Sequence, residues 1–147
     1  MGKLTINEAT EEMQKLNNEI KRLLKLFGGY EGEQLVYNPD NLDDDFFRSQ
    51  YLSILYKLND IQRRIEYLSM PVTEQGIIKR NSLGRYELLS RFYFTSGSVY
   101  EILKEDHDDK YWVYTSIEHN GEDYYATALG KNVSIDGKTV RIRYKYA

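Results

Sequence analysis

Arg141, Arg143 and Lys145 alternate with Val140, Ile142, Tyr144 and Tyr146 at the end of this chain. Side chains of an extended strand point to opposite faces in turn, so the spacing predicts a basic stripe backed by an apolar one. A basic stripe flanked by aromatic rings can hold phosphates by charge and stack bases on the rings. Arg141, Arg143, Lys145, Arg85, Tyr114, Trp112 and Tyr125 are therefore the candidate interaction or nucleic-acid surface, which Lys79, Arg80 and Arg91 would extend. The competing reading is an edge strand whose charges prevent pairing with another chain. Residues 71–147 carry 11 basic and 11 acidic side chains, net 0, which favours that second reading.

Other residue types that carry chemistry do not assemble into a recognisable constellation. His107 lies in the acidic turn Asp106–Asp109 and His119 flanks Asn120-Gly121, neither with a histidine partner nearby in sequence. Glu101 and Glu118 could face each other across two strands as a carboxylate pair. Solvent-facing positions for both are expected instead, alternating with Val99, Ile102 and Ile117. Ser96 and Ser98 sit in a glycine turn, where local hydrogen bonding accounts for them. Asp43-Asp44-Asp45 lacks the glycine and glutamate offsets of a calcium loop and reads as the acidic opening of a helix. No glycine-rich phosphate or dinucleotide loop is present. The expectation is no catalytic residue, no metal and no cofactor.

Composition narrows the class further. The 147 residues have a formal charge of −3 and include no cysteine, which excludes disulfides, thiolate zinc sites and a cysteine nucleophile. No apolar stretch reaches the roughly 18 residues of a membrane span, and the N-terminus lacks a signal peptide's apolar core. A soluble, cytoplasmic protein without membrane contact is expected. Of 14 tyrosines, nine follow Gly84. Tyrosine suits half-buried strands, with an apolar ring and a polar tip.

Two heptad ladders precede this tyrosine-rich part. Ile6, Ala9, Met13, Leu16, Ile20, Leu23 and Phe27 step by alternating threes and fours, as do Phe47, Tyr51, Ile54, Leu58, Ile61, Ile65 and Leu68. Each set lies on one helix face, because 3.5 residues is close to one turn. Thr5 and Glu8 form a capping-box signature, and Gly28-Gly29 supplies the left-handed stop. The first helix is therefore expected over Ile6–Phe27. The second is expected over Asp44–Leu68, ending before Pro71. The two should pack antiparallel through their ladders, so Leu16→Asp or Leu58→Asp should unfold the pair. Phe46, Leu52 and Leu55, or Leu24 and Leu26, would then offer a second apolar stripe, suited to a homodimer with a four-helix arrangement. In the connection 30–42, Leu35 and Val36 would fold back on the hairpin tip.

After Pro71 the pattern turns to short alternating segments. Strands are expected at 76–80, 85–88, 91–94, 99–103, 111–118, 123–129 and 139–145, with a type I′ turn at Asn120-Gly121. The domains are thus 1–70, a helical hairpin, and 71–147, a small β-barrel domain. The fold class is α+β: an N-terminal antiparallel, coiled-coil-like two-helix hairpin followed by a small SH3-like antiparallel barrel.

Within residues 76–146 the order Gly84-Arg85-Tyr86, Phe94-Thr95-Ser96-Gly97-Ser98, Glu101-Ile102-Leu103, Trp112, His119-Asn120-Gly121, Tyr124-Tyr125 and Val140-Arg141-Ile142-Arg143 resembles a family of small uncharacterised proteins. These domain-of-unknown-function proteins occur in Gram-positive bacteria and their mobile elements. The family has no established activity, so the resemblance implies no catalytic residue. The spacing also resembles SH3-like small barrels, a fold that holds peptides, nucleic acids and protein partners alike and does not choose among them.

The function expected from these features is a non-enzymatic protein-interaction or adaptor protein, with a protein partner and a homodimer through the hairpin. One alternative is a nucleic-acid-binding accessory protein using the basic, aromatic face. Another, if the gene is mobile-element encoded, is an inhibitor of a host or phage-defence factor.

Overall fold

The computed structural model describes residues 2–90 and 92–143. The chain divides into two compact units, Met1–Ser69 and Met70–Ala147. The first holds helices α1 (Ile6–Phe27) and α2 (Leu42–Ser69). The second holds strands β1 (Glu74–Ile77), β2 (Lys79–Arg80), β3 (Tyr86–Glu87), β4 (Val99–Asp106), β5 (Asp109–His119), β6 (Tyr124–Ala126) and β7 (Thr139–Ile142). The class is α+β.

Helix α1 begins and ends where its caps dictate. The Thr5 hydroxyl accepts from the Glu8 N–H at 3.1 Å, and the Glu8 carboxylate accepts from the Thr5 N–H at 3.2 Å. Gly28, at φ 80°, stops the helix in the left-handed region that side chains avoid. Helix α2 starts two residues earlier than expected. Its cap is Asn41, whose Oδ1 accepts from the N–H groups of Asp43 and Asp44, both at 3.0 Å. The three aspartates fill the first turn, where they complement the helix dipole.

The helices run antiparallel. Asn17 Nδ2 donates to Glu66 Oε2 at 3.0 Å, Lys21 pairs with the same oxygen at 3.0 Å, and Tyr30 packs edge-on against Tyr56. Gly32 lies so close to α2 that a Cβ there would stand 2.4 Å from Leu52 Cδ2. In the loop, Tyr37 lies under the Arg48 guanidinium, whereas Val36 is 94 % exposed and does not fold back.

The surfaces through which α1 and α2 meet differ from the expected seam. Asn17, Ile20 and Leu55 are the buried contacts near the pair's middle, with Leu24, Leu52 and Gln62 half-buried beside them. Asn17, Leu24, Leu52, Leu55 and Gln62 lie on one flank of each ladder, so Leu24, Leu52 and Leu55 of the second stripe share the contact with the ladder residue Ile20, while Leu26 and Phe46 stay exposed. Both ladders consequently point to the same side of a two-helix layer. Eight of their side chains, Ile6, Met13 and Leu16 on α1 and Phe47, Tyr51, Ile54, Ile61 and Leu68 on α2, stand 44–83 % exposed. Leu16 is among them, so a charge there meets water and the expected unfolding by Leu16→Asp does not follow. The cause is geometric: a heptad gives the period of an apolar arc, while a helix in a layer uses one edge of the arc for its neighbour.

The second unit is built on two antiparallel sheets. One has five strands in the order β1-β7-β4-β5-β6, and the other pairs β2 with β3. The first and last strands are adjacent, with Gln75 opposite Arg141 and Ile77 opposite Thr139. Ile78, Tyr86, Leu88 and Phe94 pack against the inner face of the large sheet, where Tyr100, Ile102, Ile117, Ala126, Val140 and Ile142 are fully buried. Among the described residues β1 and β6 remain separate edges of the sheet. The segment expected as a strand at 91–94 contributes only an isolated bridge, Tyr93 to Glu87.

Asn120-Gly121 does not form the type I′ turn, which needs positive φ at both central residues. Only Gly121 is positive, at 101°, and the wider loop closes through Asn120 N–H donating to the Asp123 carbonyl at 3.0 Å. The tight hairpin lies instead between β4 and β5, where His107 adopts φ 54°.

Candidate interaction surface

Strand β7 alternates as its sequence demands. Val140 and Ile142 enter the core, while Arg141, on the strand, and Arg143, just beyond it, turn to the outer face. The register places Glu101 of β4 directly opposite Arg141, and Tyr114 of β5 directly opposite Glu101. Trp112 lies opposite Leu103, one pleat along on the same face. Tyr125 is opposite Glu118 on β6, farther out on that face.

Glu101 organises this surface. Its side chain is 6 % exposed and does not face solvent as expected. Arg141 donates to Oε1 through Nε at 3.0 Å and pairs through Nη2 at 2.8 Å. Arg143 Nε donates to Oε1 at 3.2 Å and Oε2 at 2.9 Å, and its Nη1 donates to the Met70 carbonyl at 3.0 Å. The side chains of Arg141 and Arg143 are only 21 % and 18 % exposed. Arg141 also lies over the Trp112 ring, 4.2 Å from its centroid. Two guanidinium groups thus share one carboxylate, and one of them, Arg141, also covers the indole face. Such charge-assisted, nearly dry bonds hold the arginine forks in fixed directions.

This arrangement brings together Arg141, Arg143, Trp112 and Tyr114 from the expected surface, with Tyr125 at its margin. Arg85 is not part of it. It precedes β3, and its guanidinium sits over Tyr93 at 5.6 Å. Lys145 lies outside the described residues, as do Arg91, Tyr144 and Tyr146. Arg80 does not extend the stripe either: it pairs with Asp123 at 3.8 Å, and its N–H donates to Asp136 at 3.1 Å. The alternative Glu101–Glu118 pair does not form, because the register sets Glu101 against Tyr114 and Glu118 against Tyr125.

Glu101 was misread in sequence because its alternation was assigned against the wrong neighbours. Val99 and Leu103 share its face, while Tyr100 and Ile102 enter the core. A lone acid inside the apolar run Val99–Leu103, with two cations alternating on another strand, is the signal that points to an internal ion pair.

The remaining polar side chains serve turns and packing. His119 Nδ1 accepts from the Gly121 N–H at 3.0 Å, and its ring packs edge-on against Tyr124. His107 stands in the open at the β4–β5 turn, 3.7 Å from Asp106. The Tyr86 hydroxyl donates to Asp123 Oδ2 at 3.1 Å. Burial first, and then this bond, push the Tyr86 phenol up to about 12. Burial likewise raises Tyr100, whose hydroxyl finds no partner among the described residues. A cavity of about 420 Å³ at the far end of the sheet is lined by Leu103, Leu129 and Val133 with Lys104, Glu105 and Lys138. It sets no nucleophile beside a base among those groups. Among the described residues no cluster of three histidines or carboxylates could hold a metal ion, and no helix is long and apolar enough to cross a membrane.

No curated protein and no solved structure matches the chain. A family model does match its second unit, over the strands that carry the Glu101 cluster: a domain of unknown function, DUF5348, is found at residues 75–144.

Proposed function

We propose that this is a non-enzymatic interaction protein, an adaptor whose helical unit presents an apolar face to a protein partner. The observation that carries the reading is the side-by-side packing of α1 and α2, which leaves eight of the fourteen ladder side chains exposed on one side of the pair. Exposed apolar patches of this extent mark interaction sites. The β unit, in this reading a small SH3-like barrel, is a rigid module stiffened by the Glu101 cluster. An origin in Gram-positive bacteria or their mobile elements would suit an adaptor that redirects or inhibits a host or phage-defence factor.

The second reading, nucleic-acid binding, draws on the half-buried rings of Trp112, Tyr114 and Tyr125 beside Arg141 and Arg143. It is the weaker one, because Glu101 already neutralises one of those two charges and fixes both forks. Phosphate affinity requires accessible cations that displace the counterions condensed on the nucleic acid.

Fluorescence anisotropy with labelled single- and double-stranded DNA and RNA, at low and physiological salt, separates the two. The adaptor reading expects no saturable binding at low salt. Tight binding that weakens steeply with salt, and disappears in Arg141→Glu with Arg143→Glu, would overturn it.

A further inference from the structure

The exposed ladder face has a chemical asymmetry at its edges. Looking along the helix layer, the edge of α1 away from α2 carries Glu12 and Glu19, at heptad positions next to the ladder. The corresponding edge of α2 carries Lys57 and Arg64. One rim of the apolar face is therefore acidic and the other basic. Asn17 is level with Glu66 through their hydrogen bond. Moving two residues along each antiparallel helix puts Glu19 level with Arg64 on the opposite rim.

We infer that the occupant of this face is a second copy of the chain, seated so that α1 of each copy lies over α2 of the other in a four-helix bundle. The inference rests on the adaptor reading above and names one partner for its face. Three observations on the face agree. First, its eight ladder side chains stand 44–83 % exposed. Phe47 and Tyr51 carry roughly 150–250 Å² each and the six aliphatic side chains less, so their exposed halves supply up to about 800 Å² per copy. That equals one partner's share of a standard stable interface. Second, the face is not flat. A groove of about 640 Å³ runs between the N-terminal half of α1 and the C-terminal half of α2, lined by Met13, Leu16, Ile61 and Leu68. Heptad side chains of a facing helix are shaped to enter such a groove.

Third, the rims select the arrangement. A two-fold axis parallel to the helices places α1 over the second copy's α2, and each acidic rim then meets a basic rim. Glu19 comes level with Arg64 of the second copy, twice by symmetry. An axis across the helices would instead stack α1 on α1, setting Glu12 and Glu19 against their own copies and Lys57 and Arg64 against theirs. Like charges so placed disfavour that alternative. Glu19 pairs with Arg22 of its own helix, both well exposed. Arg64 is itself engaged within its own chain, so the exchange across the interface trades existing surface interactions for new ones.

The test uses the full-length chain in sedimentation equilibrium, with circular dichroism as a control for helix content. The wild type is expected to dimerise at micromolar concentration, and Met13→Glu with Ile54→Glu to be monomeric with unchanged helicity. Both residues are half exposed, so the fold tolerates the change. Glu19→Arg is expected to weaken the dimer about three- to tenfold, Arg64→Glu likewise, and the double exchange to recover most of the loss. A monomer up to about 100 μM would overturn the proposal and leave the face to a different protein. A dimer indifferent to Met13→Glu with Ile54→Glu would place the interface elsewhere and also overturn it. A dimer strengthened by Glu19→Arg would overturn the arrangement, because an acidic rim seated against a basic one loses by that change. None of these outcomes depends on nucleic acid, so they are distinct from the failure of the adaptor reading.

Discussion

Replacing Glu101 by glutamine should cost the β unit more stability than any other single change on its outer face. The substitution keeps the volume and removes the charge. One oxygen still accepts from Arg141, but an amide now faces the Arg143 Nε donor that the carboxylate received at 2.9 Å. Two guanidinium groups that are four-fifths buried would share a neutral partner. Breaking a buried pair from one side costs about 3–5 kcal/mol. The residual exposure of both arginines lets water screen part of this, so about 3 kcal/mol is the expected loss. In a domain of this size each kcal/mol moves the midpoint by about 4–8 °C, so Tm should fall by on the order of 15 °C. The assay is a thermal melt followed by the fluorescence of Trp112, the single tryptophan of the chain, whose ring lies under Arg141. Replacing all three charged residues with apolar ones of similar volume should recover most of the loss, because the desolvation cost disappears with the pair. A Glu101→Gln protein melting within about 2 °C of wild type would refute the reasoning.

Other consequences are simpler. Leu55 is 2 % exposed between the helices, and Leu55→Ala should cost about 3 kcal/mol in urea unfolding followed by helical circular dichroism. Val36→Ala, at a side chain 94 % exposed, should change that same curve by less than about 0.5 kcal/mol. Tyr100→Phe removes a buried hydroxyl that has no partner among the described residues and should leave stability unchanged or raise it by about 1 kcal/mol; a clear loss would mean that the hydroxyl is hydrogen-bonded. The Tyr86 phenol ionises at about 12 in the fold against about 10 in the unfolded chain, so the folded state binds more protons between these values. Its contribution is complete below pH 10 and lost as pH rises towards 12, about 2–3 kcal/mol in all. Denaturant midpoints should fall over that window, and Tyr86→Phe should flatten the fall.

The parts of this fold legible in the sequence are those governed by local geometry. Thr5, Glu8 and Gly28 fix both ends of α1 because caps act within a few residues. The alternation through Val140, Arg141 and Ile142 gave the two faces of β7 because the strand period is exact. What escaped the sequence depends on which surfaces meet. The ladders of α1 and α2 gave the correct period and only part of the contact, Ile20 among it, since periodicity does not say which edge of an apolar arc a neighbour takes. Glu101 found its arginines 40 and 42 residues away in the chain, through a strand order in which β7 inserts between β1 and β4. Two of the expected cationic positions were separated for the same reason: Arg80 ends β2 and pairs with Asp123, and Arg85 precedes β3 and lies over Tyr93. Asn120-Gly121 carried a hairpin signature, yet Asn120 used its side chain to accept from the Glu122 and Asp123 N–H groups, which settled the loop in a wider form.

The central claim is that the uncovered ladder face, rather than the basic strand, is where this protein meets its partner. Sedimentation equilibrium of the unaltered chain from about 1 to 100 μM tests it most directly. A mass rising from 17.4 kDa towards twice that value is the predicted result. A constant 17.4 kDa across the whole range would contradict the account of the face as a self-association surface.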